Sequence, residues 1–255
     1  RDPDGYTIGG KQLWANAFLP ALYQGIEFST RGAPIHHLNP PTPLPPGAQR
    51  ANLDFLQKLN AAHFRDRPGE GELEARIENF ELAARMQLEA PNVLDLSGET
   101  NATKKLYGLD NPATAKYGTR CLMARRLVES GVRFVQVTTS PGQPWDHHSN
   151  IRKEISKIAT ETDQGATALI KDLKRRGLLD STIVMWAGEF GRTPHATGTD
   201  GRDHHPEGFT IWMAGAGVPH GVHFQTLGEG FLLGLALERF GPKPKPLKFV
   251  RNNVG

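Results

Sequence analysis

Apolar positions recur at helical spacing in four stretches of the chain and run almost without interruption in three shorter ones. In residues 151–176 they fall at Ile155, Ile158, Leu169, Ile170 and Leu173, the inward face of a long helix that Gly177 would cap. In residues 70–90 they fall at Leu73, Ile77, Phe80, Ala84 and Leu88. Acidic residues crowd the first turn of this segment, where they favour the helix dipole, and Pro91 stops it. Residues 48–66 carry Leu53, Leu56 and Leu59 on one face, so 48–90 reads as a helical hairpin. Residues 91–111 read as a loop, and 112–130 as a helix ending at Gly131. The apolar runs of strand length are 132–137, 182–187 and 209–214. Strands alternating with helices predict an α/β fold with helices on both faces of a mainly parallel sheet.

Residues 1–46 break this rhythm. They are rich in Gly and Pro, and Pro40-Pro41-Thr42-Pro43-Leu44-Pro45-Pro46 must be extended. The segment reads as a long arm lying on something else, as expected if residues 1–255 are one domain that lacks its N-terminal part. Hydrophobic residues make up 38% of the chain, enough for a substantial core. No run of about 18 apolar residues is present to span a membrane. A net charge of +3, with both signs interspersed, gives no nucleic-acid footprint. The single cysteine, Cys121, excludes an intrachain disulfide and lies in a helical pattern, as a small buried hydrophobe would.

Histidine changes the picture. Two of the three adjacent His pairs directly follow an aspartate: Asp146-His147-His148 and Asp203-His204-His205. The third pair, His36-His37, lies in the Pro-rich arm, and it and His220 and His223 read as structural or solvated. The Asp-His segments border predicted strands, where open α/β sheets bind their ligands. Gly188-Glu189-Phe190-Gly191-Arg192-Thr193 borders the strand at 182–187, with glycines that permit a tight turn on both sides of Glu189. Asp, Glu and His together are ligands for a divalent cation, zinc first, with manganese, magnesium or calcium as alternatives. Arg192 and Arg202 supply planar donors suited to phosphate or sulfate. No Gly-x-Ser-x-Gly elbow, Walker loop or dinucleotide fingerprint is present. Two-carboxylate glycosidase chemistry stays open, since any pair of acids could serve it.

These motifs carry a resemblance. Trp145-Asp146-x-His148-x-Asn150, Gly188 to Thr193, Gly201-Arg202-Asp203-His204-His205 and Met213 to Val218 look like the bacterial domain-of-unknown-function family 1501. Ala17 to Gly25, Leu94 to Glu99 and Arg120 to Val128 extend the resemblance, so that it covers about residues 10–223. That family is sulfatase-like and is placed in the alkaline phosphatase superfamily. The resemblance implies a divalent-metal site at the carboxyl ends of the strands. Asp146 and His148 resemble one metal-binding segment, Glu189 stands where relatives carry a metal-binding Asp, and His204 resembles the late metal-binding His. Asp203 completes the candidate set.

In such proteins the nucleophile lies in an N-terminal region, which places it outside this chain. Phe190 stands where relatives commonly carry His, which argues against a full two-metal site. The C-terminal stretch, Phe231 to Phe240 followed by a Lys-Pro tail, also departs from the family. Family members usually begin with an export signal, so the resemblance implies a periplasmic or secreted parent protein. The functions expected are hydrolysis of a small anionic phosphate or sulfate ester, or non-catalytic binding of sulfated or phosphorylated glycans on the same fold. An envelope structural role, using the arm and the tail as contacts, is a third.

Overall fold

The most strongly periodic segment is the longest helix in the computed structural model of the chain. The structure describes residues 15–19, 25–30, 44–45, 47–67, 77, 91–139, 143–196, 198, 200–218, 224–226 and 234–239, the last two segments by their backbone. These residues belong to two compact units, Arg1–Asp95 and Leu96–Gly255.

In the first unit, α1 (Ala48–Arg65) starts at Gly47 and has no buried residue. Leu56 and Leu59, expected to face inward, are exposed. An Arg50–Asp54 pair at 3.2 Å, one turn apart, and an Arg67–His63 contact at 2.7 Å lie along its surface. The second arm of the expected hairpin falls outside the described residues except for Ile77, which is helical. The Pro-rich arm falls largely outside them too.

In the second unit the chain runs through α2 (Asn101–Leu106), α3 (Ala115–Glu129), β1 (Phe134–Val137), α4 (Ile151–Arg175), a 3-10 turn at Leu179–Ser181 and β2 (Thr182–Ala187). It continues through β3 (Gly191–Arg192), β4 (His204–His205), β5 (Phe209–Ala214), β6 (Phe224–Thr226) and β7 (Gly234–Arg239). Helix α2 lies where a loop was expected. Its six residues are too few for a periodic signal, but Thr100 caps it, its hydroxyl accepting from the Thr103 N–H at 3.1 Å. α3 and α4 end next to Gly131 and Gly177, as the pattern predicts.

The core forms where α3 packs along α4 and against β1. Gly118 and Gly165 permit the close approach: a Cβ on Gly118 would collide with the Tyr107 carbonyl, and one on Gly165 would stand 3.2 Å from Gly118. Leu122, Val128, Leu169, Leu173 and Val184 are fully buried there. Of the five α4 residues expected inward, Ile158, Leu169 and Leu173 are buried, whereas Ile155 is exposed. Ile155 lies near the N-terminal end of α4.

The sheet differs from expectation. Its order is β1-β7-β2-β5-β6, and every described pairing is antiparallel. Strands β1 and β2, joined through α4, do run in the same direction, as strand–helix–strand order requires. They are not neighbours: β7 lies between them, with Leu237 opposite both Val135 and Val184. Strand–helix alternation predicts direction but cannot see a late segment inserting between two strands. The β1 strand is also covered on one face only, with Val135 and Val137 buried and Phe134 61% exposed. The fold is therefore mixed α/β. Among the described residues no helix is long and apolar enough to cross a membrane.

Candidate metal centre

Three loops meet beside the sheet, and backbone hydrogen bonds hold them there. The loop after β1 is anchored by Trp145, whose ring stands edge-on to Trp186 of β2 at 6.1 Å. Trp186 in turn meets Tyr117 of α3 at 6.4 Å. The loop before β5 clamps onto this segment. Asp200 accepts from the Asn150 N–H with its carboxylate at 2.9 Å and from the Ile151 N–H with its carbonyl at 3.0 Å. The Arg202 N–H donates to the His147 carbonyl at 2.9 Å. Gly201 lies so close to His148 that a Cβ would run into the His148 carbonyl, so only glycine fits.

The third loop is the turn after β2 that carries Glu189; it leads into the β3–β4 hairpin, whose connection holds the clamping Asp200 to Arg202. The hairpin pairs Arg192 with His204 and Gly191 with His205. Directly opposite residues project to the same side of a ladder, so Arg192 and His204 face one way. The Thr193 N–H donates to the Asp203 carbonyl at 3.0 Å, extending the ladder toward the site.

The side chains converge on one atom. Asp146 Oδ1 lies 3.1 Å from His148 Nε2 and 3.1 Å from His204 Nε2, and it also accepts from Arg192 Nη1. The second Arg192 nitrogen, Nη2, donates to Glu189 Oε1 at 2.9 Å. His148 Nδ1 lies 3.3 Å from Asp203 Oδ1. The His148 and His204 rings are 4.9 Å apart, and Phe190 lies 4.5 Å from His204 and 5.4 Å beneath the Arg192 guanidinium. Asp146 is largely covered, whereas both histidines are about half exposed, so the cluster opens to solvent on the imidazole side.

Burial raises the Asp146 carboxyl, but hydrogen bonds from His204 and Arg192 and the charges of Arg192 and His148 outweigh it and hold it below its ordinary value. It is therefore ionised across the neutral range. Each His148 ring nitrogen faces a carboxylate oxygen. A neutral ring can donate to only one of them, and Asp203 at Nδ1 orients the ring so that Nε2 points at Asp146. This is the outer-shell carboxylate arrangement that holds ligating histidines in metal sites.

The donor set fits a cation. One ligand atom from each of Asp146, His148 and His204 lies within 4.8 Å of the others. Ligands about 2.0–2.2 Å from one tetrahedral zinc stand roughly 3.4 Å apart, close to the separations here. Two imidazoles and one carboxylate, open on one side, are the three-ligand pattern of a catalytic rather than a structural zinc site. Glu189 joins the cluster through Arg192, and Asp203 through His148. Arg202 donates to the Gly201 carbonyl at 2.6 Å and is not among the groups that meet at Asp146. Arg192 is thus taken up by two carboxylates, and Arg202 has one guanidinium nitrogen on a backbone carbonyl. Cys121 is fully buried in α3 and its thiol is pushed up to about 12 by that burial, which leaves it unreactive.

Two features went unseen in the sequence. Gly201 opens a motif already singled out, but nothing local shows that with Asp200 it clamps the loop of His148. His147, between two candidate ligands, has its Nε2 buried without a hydrogen-bond partner and lines a cavity of about 530 Å³ with Tyr117, Lys157 and Thr162.

A family model described as "Protein of unknown function (DUF1501)" matches residues 1–229. The chain belongs to this family. No curated protein and no solved structure matches it. The DUF1501 match spans all three loops of the cluster, so the convergence at Asp146 belongs to the family domain and not to the segment after residue 229.

Proposed function

We propose that the cluster at Asp146 binds one divalent ion, zinc first, and that the protein is a metal-dependent hydrolase of phosphate or sulfate esters. The observation that carries the reading is the meeting of His148 Nε2 and His204 Nε2 at one ionised carboxylate oxygen, open to solvent on one side. A bound ion would supply Lewis-acid polarisation of an ester oxygen or a water made acidic enough to attack at neutral pH. Asp203 orients His148, the β3–β4 hairpin presents His204, and Arg192 stands within reach to hold an anionic oxygen. The cavity lined by His147 borders the same loop and offers room for the alcohol part of an ester. Relationship to the sulfatase-like proteins of the alkaline phosphatase superfamily, and a periplasmic or secreted location, belong to the same proposal.

A second reading, a non-catalytic binder of sulfated or phosphorylated glycans, has one observation in its favour. Among the described residues no Ser, Thr or Cys side chain is seen to contact Asp146. Thr193, the nearest hydroxyl in sequence to Arg192, is engaged with the His195 and Asp203 backbone. Elemental analysis of the purified chain, beside Asp146→Ala and His204→Ala, tests both readings. Near-stoichiometric metal lost in both variants, with hydrolysis of aryl phosphate or sulfate esters, supports the enzyme. Metal without turnover supports the binder. Folded wild-type protein without metal above background contradicts the enzyme reading and favours the binder.

A further inference from the structure

Asp146 Oδ1 has more partners than one oxygen can serve. A carboxylate oxygen offers two lone pairs, yet two imidazole nitrogens and a guanidinium nitrogen approach this one. Of the three, only Arg192 carries a permanent charge. Its fork spans two carboxylates, with Nη1 on Asp146 and Nη2 on Glu189, so both acids face the same cation. This is the position in which a metal ion would be neutralised.

Charge counting points the same way. Asp146, Glu189 and Asp203 set three negative charges against one guanidinium. A divalent ion would bring the cluster to neutrality with Arg192 still present, so Arg192 has to release the carboxylates but need not leave the site. Its backbone is fixed opposite His204 by the β3–β4 ladder, and the Phe190 face lies 5.4 Å from its guanidinium carbon. A released side chain therefore has a place to rest, beside the ion rather than on its ligands.

We propose that Arg192 is a built-in counter-cation, which a divalent ion displaces from Asp146 and Glu189, and that the displaced guanidinium then holds an anionic ligand beside the ion. This rests on the metal-site reading above and adds an order to it: metal first, anion second. Displacement also frees Glu189 to become a further ligand, which explains why a residue in a ligand-like position is paired with an arginine.

The test is calorimetric titration of zinc, and then of inorganic sulfate, into wild type, Arg192→Gln and Arg192→Lys, with thermal melts to confirm folding. Removing a competing positive charge a few ångströms from a divalent ion should tighten zinc binding about tenfold in Arg192→Gln. Arg192→Lys, which keeps the charge, should stay near wild type. Sulfate should bind zinc-loaded wild type and fail to bind the zinc-free protein. Zinc-loaded Arg192→Gln should bind sulfate about tenfold more weakly than zinc-loaded wild type. Zinc affinity unchanged or weakened in Arg192→Gln, or sulfate affinity indifferent to zinc, overturns the displacement model while leaving the metal site standing. A wild-type protein that takes up no zinc removes both.

Discussion

Two groups of ionised side chains lie in the second unit, one around Arg125 and one around Asp146, and they are built on opposite plans. Around Arg125 the centre is closed, and only the rim, Glu129 and Arg175 above all, reaches solvent. The Arg125 side chain is 1% exposed and pairs with Glu99 at 2.6 Å, Glu129 at 2.6 Å and Asp172 at 3.1 Å. Asp172 is fully buried and also takes Arg175 at 2.7 Å, Arg176 at 3.1 Å and the Tyr107 hydroxyl at 3.2 Å. Arg126 adds a second guanidinium on Glu99 at 2.7 Å. Four arginines face three acids, none of the ion pairs named involves a histidine, and the network ties the Glu99 loop to α3 and α4. Around Asp146 the acids outnumber the single arginine, two imidazoles fill the gap and the mouth is open. An arginine-rich network with a buried centre holds a fold together; an acid-rich, imidazole-bearing, open one is arranged to receive a cation.

The comparison breaks most sharply at Arg125. Arg125→Met takes one partner from each of the buried Glu99 and Asp172, leaving Arg126 on the first and Arg175 and Arg176 on the second, and should cost about 3 kcal/mol in denaturant unfolding. If the variant loses less than about 1 kcal/mol, the network is not what joins the helices. Gly201→Ala probes the other cluster. The added Cβ meets the His148 carbonyl, so the two loops must part. Stability should fall by roughly 1–3 kcal/mol, the usual cost of overpacking, and zinc affinity should fall with it. Lost stability with unchanged zinc affinity would show that the clamp does not position His148.

The third prediction is smaller and concerns pH. Burial raises Glu99, but its hydrogen bonds and charge interactions with Arg126 and Arg125 outweigh this and lower it below its ordinary 4.5. In Asp172, burial is likewise outweighed, by Arg175, Arg125 and Arg176, and the group lies below its ordinary 3.8. A carboxyl lowered by folding binds its proton first in the unfolded chain. The stabilisation is therefore complete near neutrality, begins to fade as pH falls through about 4.5, and is lost once the folded-state values are passed. Unfolding free energy measured from pH 6 to pH 3 should decline, and Arg125→Met should flatten the decline. An identical slope in both proteins would mean that other carboxylates set it.

The two clusters also differ in how far the sequence announces them. Asp146 and His148 stand two residues apart on one loop, and His204 stands five residues before a strand-length apolar run, so their chemistry is visible as local spacing. Arg125 and Glu99 are 26 residues apart and Arg125 sits in an Arg-Arg pair on an amphipathic pattern, where arginine reads as solvent-facing. Only tertiary packing makes it a core residue. Glu189 is a case between the two: glycines on both sides place it at the turn, and an ion pair with Arg192, three residues on, is a local alternative to a ligand role that the structure shows formed. In the fold, the bounds of β2 and β5 follow from continuous apolar runs. Strand β7 does not follow, because its place between β1 and β2 is decided by partners about 50 and 100 residues earlier in the chain.

The central claim, a single ion held by Asp146, His148 and His204, is tested most directly by X-ray absorption at the zinc edge on protein loaded with one equivalent. The expected spectrum has an all-nitrogen-and-oxygen first shell with the outer-shell scattering of two imidazoles, reduced to one imidazole in His204→Ala. A sulfur ligand, or a spectrum that His204→Ala leaves unchanged, would contradict it.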